Sequence, residues 1–166
     1  MTYRQAETVA ITGVASGLGR AFALAWAGKG WKVGILDIDM EGAEKTREMV
    51  VEAGGSGEIL RCDVRDPMEV EAAADHLFSR WGAVGILVNN AGVGGGGAVG
   101  DIPLKDWETV MGIDLWGVVH GCHSFIPRMK KQGGGHIVNV SSLAGLISAP
   151  GFAPYNMSKA AVVSLS

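Results

Sequence analysis

Short runs of apolar residues alternate along the chain with longer stretches whose apolar positions recur at the period of an α-helix. The short runs are rich in Val and Ile and mostly unalternated, as expected of strands buried on both faces. They lie at residues 8–12, 32–37, 58–63, 86–89 and 136–141. The longer stretches predict helices at residues 17–29, 40–53, 67–81 and 104–131, and from about residue 155 to the end. This order predicts the α/β class, with a doubly wound parallel sheet between two layers of helices.

Glycine is the unusual feature of the composition, with 26 residues in a chain of 166. Most glycines fall at the ends of apolar runs, where tight turns require them. Gly112, Gly117 and Gly121 instead lie inside the predicted helix at 104–131, where each costs about 1 kcal/mol relative to alanine. That cost predicts close packing at these positions, and a partner chain is a candidate for the packed surface.

Composition and charge exclude several classes of function. The chain is 48% hydrophobic with a net charge of −3, which is typical of one soluble domain and provides no basic surface for nucleic acid. It has no apolar leader, and no uncharged run of 18 residues in it suggests a membrane span, so we expect a cytoplasmic protein with no membrane partner. Cys62, Cys122 and the histidines have no metal-ligand spacing, so no metal is expected.

Tyr155 and Lys159 are the first candidates for chemistry. They stand four positions apart, so on a helix they share one face. A phenol beside an ammonium ionises more readily than a free phenol, whose pKa is about 10, and can then act as a general acid or base near neutral pH. Taken alone, the same spacing is more often an ordinary solvated helix surface, so the rest of the chain must decide between the two interpretations.

A glycine-rich turn follows the first predicted strand and leads into the first predicted helix. Its residues include Gly13, Ser16, Gly17, Leu18 and Gly19. Glycines let the backbone turn tightly and approach a pyrophosphate, while the N-terminus of a helix offers free N–H groups to it. A glycine pattern alone can be a mere turn, but its place between a strand and a helix favours cofactor binding.

Acidic residues end the second and third predicted strands. Asp37 can accept hydrogen bonds from both hydroxyls of an adenosine ribose and would repel a 2′-phosphate, with a strand-end turn as its structural alternative. Because no Arg or Lys stands at Ser16 or just after Asp37, NAD is favoured over NADP. Asp63 and Val64 are candidates to border the adenine, although a turn-capping role for Asp63 fits the sequence equally well.

An Asn-Asn-Ala-Gly segment closes the fourth predicted strand, at the edge where open α/β sheets bind ligands. Asn side chains can also tie neighbouring backbone segments together, so a structural role and a cofactor-supporting role are compatible here. Asn90, Ala91 and Gly92 are therefore candidate cofactor residues. The glycine run at 94–97 predicts a flexible loop.

The chain resembles the short-chain dehydrogenase/reductase family in motifs that occur in the order typical of that family. They are the glycine pattern at 13–19, the Asn-Asn-Ala-Gly segment at 89–92, the Asn-Val-Ser-Ser segment at 139–142 and the pair Tyr155 and Lys159. The resemblance extends from Thr8 to the last residue. It implies a single NAD(P)-binding Rossmann domain over residues 1–166, and hydride transfer between a nicotinamide and a carbonyl or alcohol carbon.

The resemblance also implies roles for individual residues. Tyr155 is the acid/base, Lys159 assists it and holds the nicotinamide ribose, and Ser142 hydrogen-bonds the substrate oxygen, while Ser141 is the structural hydroxyl. The implied cofactor-binding residues are Gly13, Ser16, Gly17, Leu18, Gly19, Asp37, Asp63, Val64, Asn90, Ala91, Gly92, Tyr155 and Lys159. The implied partner is a small-molecule carbonyl or alcohol. A homodimer or homotetramer, built through the helix at 104–131 and the last helix, is implied as well.

Two features depart from the family's pattern. The family's fourth catalytic residue is an Asn that holds a water in the long helix, and Asp114 stands in its place. An ionised carboxylate cannot donate a hydrogen bond, and its charge would stabilise the Lys159 ammonium and disfavour the Tyr155 phenolate. The chain also ends at Ser166 inside a predicted helix. We therefore expect a missing C-terminal part that carries a substrate loop and a sixth strand covering the apolar fifth one.

Two other functions remain open on the sequence. Asp114 and the early end favour a non-catalytic nucleotide-binding or regulatory member of the family, whereas the set of Ser142, Tyr155 and Lys159 opposes it. An NAD-retaining isomerase or epimerase would use the same set, but the glycine spacing at 13–19 is less similar to that branch. The main hypothesis is an NAD-dependent oxidoreductase, and the motifs leave its substrate open.

Overall fold

The computed structural model describes residues 6–166, and a five-stranded parallel sheet forms its centre. The strands are β1 (Thr8–Thr12), β2 (Lys32–Asp37), β3 (Ser56–Arg61), β4 (Ile86–Asn89) and β5 (His136–Asn139). They lie in the order β3-β2-β1-β4-β5, and each neighbouring pair runs parallel. The predicted doubly wound parallel sheet is confirmed.

The third and fifth strands differ in their bounds from the predicted 58–63 and 136–141. β3 begins two residues earlier, because Ser56 pairs with Lys32 of β2 and the pairing continues along the strand from there. Register with the neighbouring strand, rather than apolar content, thus sets its ends. β3 and β5 are the two edges of the described sheet, which is why their residues are partly exposed instead of buried on both faces.

Helices connect the strands and cover the sheet. They are α1 (Gly17–Ala27), α2 (Met40–Glu52), α3 (Pro67–Trp81), α4 (Leu104–Met111), α5 (Gly117–Gln132) and α6 (Ala153–Leu165), with a 3₁₀ turn at Leu143–Gly145. Asp66 starts α3 by accepting a hydrogen bond from the Met68 N–H, which satisfies an amide group that the helix leaves free. No helix within residues 6–166 is both long and apolar enough to cross a membrane.

The core lies on both faces of the sheet, because successive side chains of a strand point to opposite sides. Val9 and Ile11 of β1 belong to one buried cluster with Ala23 of α1 and Ala43 of α2. Ala10 of β1 belongs to the other cluster, whose helical members include Val70, Ala73, Leu77, Phe125 and Met129 from α3 and α5. Helices on both faces of one sheet make the predicted three layers.

The helix predicted at 104–131 is divided in the structure by a π-helical turn at Gly112–Trp116, which separates α4 from α5. A β-carbon added to Gly117 would lie 2.8 Å from the side chain of Val64, so the helix approaches the chain after β3 as closely as a glycine allows. Close packing at the helix glycines is therefore present, and here the chain itself, rather than a partner, supplies the packed surface.

Gly121→Ala should destabilise the fold. A β-carbon at this position of α5 would lie 2.1 Å from Oδ1 of Asn89, a buried oxygen with no hydrogen-bond partner among residues 6–166. Such overpacking costs about 1–3 kcal/mol, which should appear as a lower midpoint of urea unfolding.

Gly28→Ala is the matched control for that measurement. Gly28 has a φ of −61°, and an added β-carbon would meet only carbonyl oxygens at 3.5 Å or more. We expect a change below about 0.5 kcal/mol. Equal losses of stability in the two variants would contradict the role assigned to the packing of Gly121.

Candidate active site

A cleft opens at the carboxyl ends of the strands, where the order of the sheet reverses between β1 and β4. This crevice is where open α/β sheets bind ligands. Its volume of about 730 Å³ suits a small molecule or cofactor. The structure brings every predicted cofactor-binding residue to its wall: Gly13, Ser16, Gly17, Leu18, Gly19, Asp37, Asp63, Val64, Asn90, Ala91, Gly92, Tyr155 and Lys159.

The glycine-rich turn forms one end of the cleft. Gly13 and Gly17 have φ values of +69° and +54°, a left-handed backbone that side-chain-bearing residues rarely adopt. A β-carbon on Gly19 would lie 2.1 Å from the carbonyl oxygen of Gly13, so α1 can approach the turn only at a glycine. Ser16 makes no capping hydrogen bond to α1, and the first turn of α1 has no acidic residue. Its N–H groups are thus able to bind an anion such as a pyrophosphate.

Hydrogen bonds join the glycine-rich turn to the segment after β4. The Thr12 hydroxyl accepts from the N–H groups of Asn90 and Ala91, both at 3.0 Å. The side-chain amide of Asn90 donates to the carbonyls of Thr12 and Gly13 at 2.9 and 3.0 Å. These bonds hold the two sides of the cleft together, which is the structural role considered for Asn90.

Asp37 places its carboxylate at the carboxyl end of β2, in the wall of the cleft. One oxygen accepts from the Ala15 N–H at 2.8 Å and the other from the Asp39 N–H at 3.0 Å. The backbone therefore orients the carboxylate, and each oxygen retains a lone pair that could accept from a ribose hydroxyl.

The contacts of Asp63 are those of a residue that caps a turn, which is the structural role considered for it. It accepts hydrogen bonds from the backbone N–H and from Nε of Arg65, each at 3.0 Å. The hydrogen bond from the Arg65 side chain is the main reason why the pKa of the Asp63 carboxyl is lowered. Arg65 also lines the cleft. Sequence reasoning does not single out Arg65, although its place two residues beyond Asp63, the acid at a predicted strand end, is an available signal.

Further residues in the wall were not singled out by sequence reasoning. They are Ala15, Ile38, Asp39, Cys62, Val93, Gly94, Ile113 and Val140. Among them Cys62 carries a potential nucleophile, but burial raises the pKa of its thiol to about 12, so it stays protonated at neutral pH. In the described part of the chain, no three metal-ligating side chains gather into a group that could hold an ion.

Tyr155 and Lys159 lie on one face of α6, as their spacing predicts. The ammonium nitrogen Nζ of Lys159 is 5.6 Å from the centroid of the Tyr155 ring. Lys159 is buried, and its ammonium donates to the Val140 carbonyl at 3.2 Å. A buried cation close to a phenol is an arrangement that can stabilise the phenolate during proton transfer.

Asp114 is fully buried within the π-helical turn and faces the same ammonium. Its Oδ1 accepts from the Val93 N–H at 2.8 Å, and its Oδ2 lies 3.2 Å from Lys159 Nζ. The second contact pairs the charges without meeting the angles of a hydrogen bond, so Oδ2 has no hydrogen-bond partner among residues 6–166. Burial raises the pKa of the Asp114 carboxyl, while the Val93 N–H and the Lys159 ammonium oppose this rise.

Ser142, the serine predicted to be catalytic, is not among the residues that form the wall of the cleft. Its oxygen accepts from the Ala144 N–H at 3.2 Å at the start of the 3₁₀ turn, and no hydrogen bond joins it to Tyr155 or Lys159 in the described structure. Ser141 does line the cleft, and its hydroxyl donates to the Lys159 carbonyl at 2.8 Å. That bond is the structural role expected of Ser141.

Comparison with known proteins identifies the family and supports the fold of this chain. The sequence model of the short chain dehydrogenases matches residues 7–166. The chain belongs to the short-chain dehydrogenase/reductase family. Two solved structures are similar to this family member. One is a short-chain dehydrogenase/reductase from Burkholderia phymatum in complex with NAD, with a TM-score of 0.92 and 40% identity. The other is NAD⁺-bound xylitol dehydrogenase, with a TM-score of 0.93 and 32% identity. They cover 99% and 98% of this chain.

The relatives are longer than this short-chain dehydrogenase/reductase. SadH of Mycobacterium tuberculosis is 40% identical over 162 residues, and the match covers 98% of this chain but 59% of SadH. The two solved structures are covered to 59% and 64% of their lengths. The chain thus spans about three fifths of the length of these three relatives, and the Rossmann sheet with its cleft lies within that shared part.

Thr12→Val should destabilise this family member by removing the hydroxyl that joins β1 to the segment after β4. The two N–H groups of Asn90 and Ala91 would lose their acceptor in a part-buried site. An unsatisfied buried donor costs about 1–3 kcal/mol, so urea denaturation should show a loss of at least that size. Thr109→Val is the control, since the exposed Thr109 hydroxyl bonds only the Lys105 carbonyl within α4. If the Thr12 variant were as stable as the control, the hydrogen bonds from the Asn90 and Ala91 N–H groups to Thr12 would not be stabilising the fold.

Proposed function

We propose that this short-chain dehydrogenase/reductase transfers a hydride between NAD(H) and a carbonyl compound or secondary alcohol. The observation that carries the proposal is the pairing of Tyr155 and Lys159 at the cleft that also contains all of the predicted cofactor-binding residues. A phenol and an ammonium beside a cofactor-sized cleft suit proton transfer at an oxygen whose carbon is being reduced or oxidised.

The residues of the cleft fit the parts of a dinucleotide. The glycine-rich turn and the N-terminus of α1 would bind the pyrophosphate, because the space before Gly17 is open and the helix N–H groups are uncapped. Asp37 would accept from the adenosine ribose hydroxyls. The buried ammonium of Lys159 would bind the nicotinamide ribose. Bound NAD(H) supplies the hydride donor or acceptor, which is chemistry that protein side chains lack.

Tyr155 would exchange the proton that accompanies hydride transfer. When a carbonyl is reduced, the Tyr155 hydroxyl gives its proton to the substrate oxygen as the carbon gains the hydride, and oxidation of an alcohol reverses both transfers. The Lys159 ammonium would stabilise the phenolate that remains. Ser142 would donate a hydrogen bond to the same substrate oxygen and stabilise its developing charge.

Asp37 also underlies a proposed preference for NAD over NADP. A 2′-phosphate on the adenosine ribose would meet the charge of this carboxylate in the wall of the cleft. Arg65 is the nearby cation that could compensate, but its side chain is already bound to Asp63. The NAD complexes of the two similar structures support NAD as the cofactor.

Asp37→Ala should weaken NADH binding and reduce the difference between the affinities for NADH and NADPH. Loss of hydrogen bonds to a charged acceptor costs about 1.5–3 kcal/mol, or roughly tenfold or more in Kd for NADH. NADPH should bind no worse than before, because a repelling charge is gone. Fluorescence titration of both cofactors measures the two affinities.

Asp75→Ala provides the control, because it removes the same carboxyl group from the exposed face of α3, where Asp75 pairs with Arg128. Both affinities should be unchanged in this variant. Equal or tighter binding of NADPH by the unmodified protein would rule out the assignment of Asp37.

Tyr155→Phe should lower turnover by about 100-fold or more, because a general acid/base contributes on that scale. NADH affinity should change by no more than about twofold, since only the proton-transferring hydroxyl is removed. Lys159→Ala is the comparison variant and should impair both turnover and NADH binding. If the Phe variant keeps most of its activity, Tyr155 is not the acid/base.

A non-catalytic, nucleotide-binding role is the second candidate function. The buried carboxylate of Asp114 favours it, because a negative charge beside Lys159 opposes formation of a phenolate at Tyr155. NADH binding without turnover of any secondary alcohol or ketone in a broad panel would support this second function over the first.

The substrate class, the location and the oligomeric state of the protein stay predictions. We expect a small-molecule substrate, a cytoplasmic location and a homodimer or homotetramer. Trp116 in the π-helical turn and Met157 on α6 each leave 54% of their surface exposed, which supports an interface that involves these two elements.

A further inference from the structure

Arg20 lies near the start of α1 but is not among the residues that form the wall of the cleft. Its guanidinium contacts α2 and the glycine-rich turn instead. Nε donates to the Thr46 hydroxyl of α2 at 2.8 Å, while Nη2 donates to the carbonyl of Ala15 and lies 3.4 Å from that of Gly42. One planar, forked group therefore joins α2 to the turn that precedes α1.

Thr46 extends this contact to the preceding peptide group of the turn. It is fully buried in α2, and its hydroxyl oxygen lies 3.0 Å from the carbonyl oxygens of Val14 and of Gly42. Because this oxygen accepts from Arg20, its proton is free to be donated to one of these carbonyls. The Val14 carbonyl and the Ala15 N–H belong to one planar peptide group, so a bond to that carbonyl also fixes the direction of the N–H.

The Ala15 N–H in turn orients the carboxylate of Asp37. It donates to Oδ2 at 2.8 Å, and the Asp39 N–H donates to Oδ1 at 3.0 Å. Hydrogen bonds thus run from Arg20 and Thr46, through the backbone on both sides of Ala15, to the acid that lies in the wall of the cleft. This series links a residue outside the wall to a candidate cofactor ligand.

Gly42 lets α2 approach the turn closely enough for these bonds. A β-carbon there would lie 2.7 Å from the Ala15 side chain and 2.6 Å from Oδ2 of Asp39. Asp39 caps α2 by accepting from the Gly42 N–H at 3.0 Å. The start of α2 is therefore packed directly against the glycine-rich turn, and the guanidinium of Arg20 bridges the two.

We propose that Arg20 is a positioning residue for the adenosine half of the cofactor: with Thr46 it fixes the backbone of Ala15, whose N–H orients the Asp37 carboxylate for the ribose hydroxyls. The inference rests on the proposed function for the assignment of Asp37 to that ribose. An acceptor that is already oriented loses less freedom when the cofactor binds, so Arg20 raises the affinity for NAD(H) without touching it.

A direct bond from Arg20 to a 2′-phosphate is the alternative that the geometry disfavours. Arginine suits phosphate groups, and Arg20 lies at the end of the cleft that would bind a dinucleotide. Its Nε and Nη2 already donate to Thr46 and Ala15, however, and its side chain forms no part of the wall. The two roles predict opposite changes in cofactor preference when the guanidinium is removed.

The test is fluorescence titration of Arg20→Met, which keeps an unbranched side chain and removes its donors. The Kd for NADH should rise about three- to tenfold, on the scale of one hydrogen bond, while the Kd for NADPH should change by less than about twofold. In steady-state kinetics the loss should appear in the KM for NADH rather than in kcat, because the adenosine half takes no part in hydride transfer. A larger loss of affinity for NADPH than for NADH would overturn the proposal.

A double-mutant cycle tests whether Arg20 acts through Asp37. In the Asp37→Ala background, Arg20→Met should change the Kd for NADH by less than about twofold, because the carboxylate that Arg20 orients is gone. A merely structural Arg20 would give the same loss in both backgrounds, and that result would contradict the positioning role.

Thr46 offers an independent pair of variants, which also serves if Arg20→Met does not fold. Thr46→Val removes the hydroxyl and should weaken NADH binding, whereas Thr46→Ser keeps it and should bind NADH within about twofold of the unmodified protein. Equal affinities in these two variants would overturn the proposal. Arg47→Met is the matched control, because the Arg47 guanidinium donates to Glu44 on the same helix. Both cofactor affinities should be unchanged in it.

Turnover by the unmodified protein separates this inference from the proposed function. Weaker NADH binding in Arg20→Met that disappears in the Asp37→Ala background, together with no turnover of any secondary alcohol or ketone, would uphold the positioning role and overturn hydride transfer. Turnover by a protein whose NADH affinity is the same with and without the Arg20 guanidinium would do the reverse.

Discussion

The cleft depends on the hydrogen bonds that join the chain after β1 to the chain after β4; we call this set of bonds the joint. Parallel strands bring their carboxyl ends to one edge, and there the Thr12 hydroxyl and the Asn90 amide link the two segments that leave the sheet. The glycine-rich turn is held on one side of this joint and Gly92 on the other. Because the polar groups at the joint have partners, they can be part-buried without the cost of unsatisfied donors.

Gly92 connects these hydrogen bonds to the buried pair of Lys159 and Asp114. It comes two residues after Asn90, and its backbone lies over the pair of Lys159 and Asp114. A buried ion pair adds little net stability, because desolvation of both charges offsets their attraction, but it constrains geometry strongly. The pair therefore holds the Lys159 ammonium in its position at the cleft.

Local signals predicted the elements that depend on local physics. The helix at Pro67–Trp81 has the predicted bounds because Pro67 suits its first turn, Asp66 caps it and a left-handed Gly82 ends it. The start of β3 and the π-helical turn at Gly112–Trp116 were missed. The start of β3 depends on its register with β2. The π-helical turn lies within a stretch whose apolar pattern is that of one continuous helix, so the pattern does not reveal it.

The sequence by itself determined the family of the chain and many of the residues that surround the cleft, since a glycine-rich turn and an i, i+4 pair act through short-range geometry. Only the tertiary structure decided which partner each polar side chain takes. Asp114 meets Lys159, and Ser141 rather than Ser142 bonds α6. Groups far apart in sequence meet only when the sheet orders the chain, so the contacts that orient a charge depend on packing that no local pattern encodes.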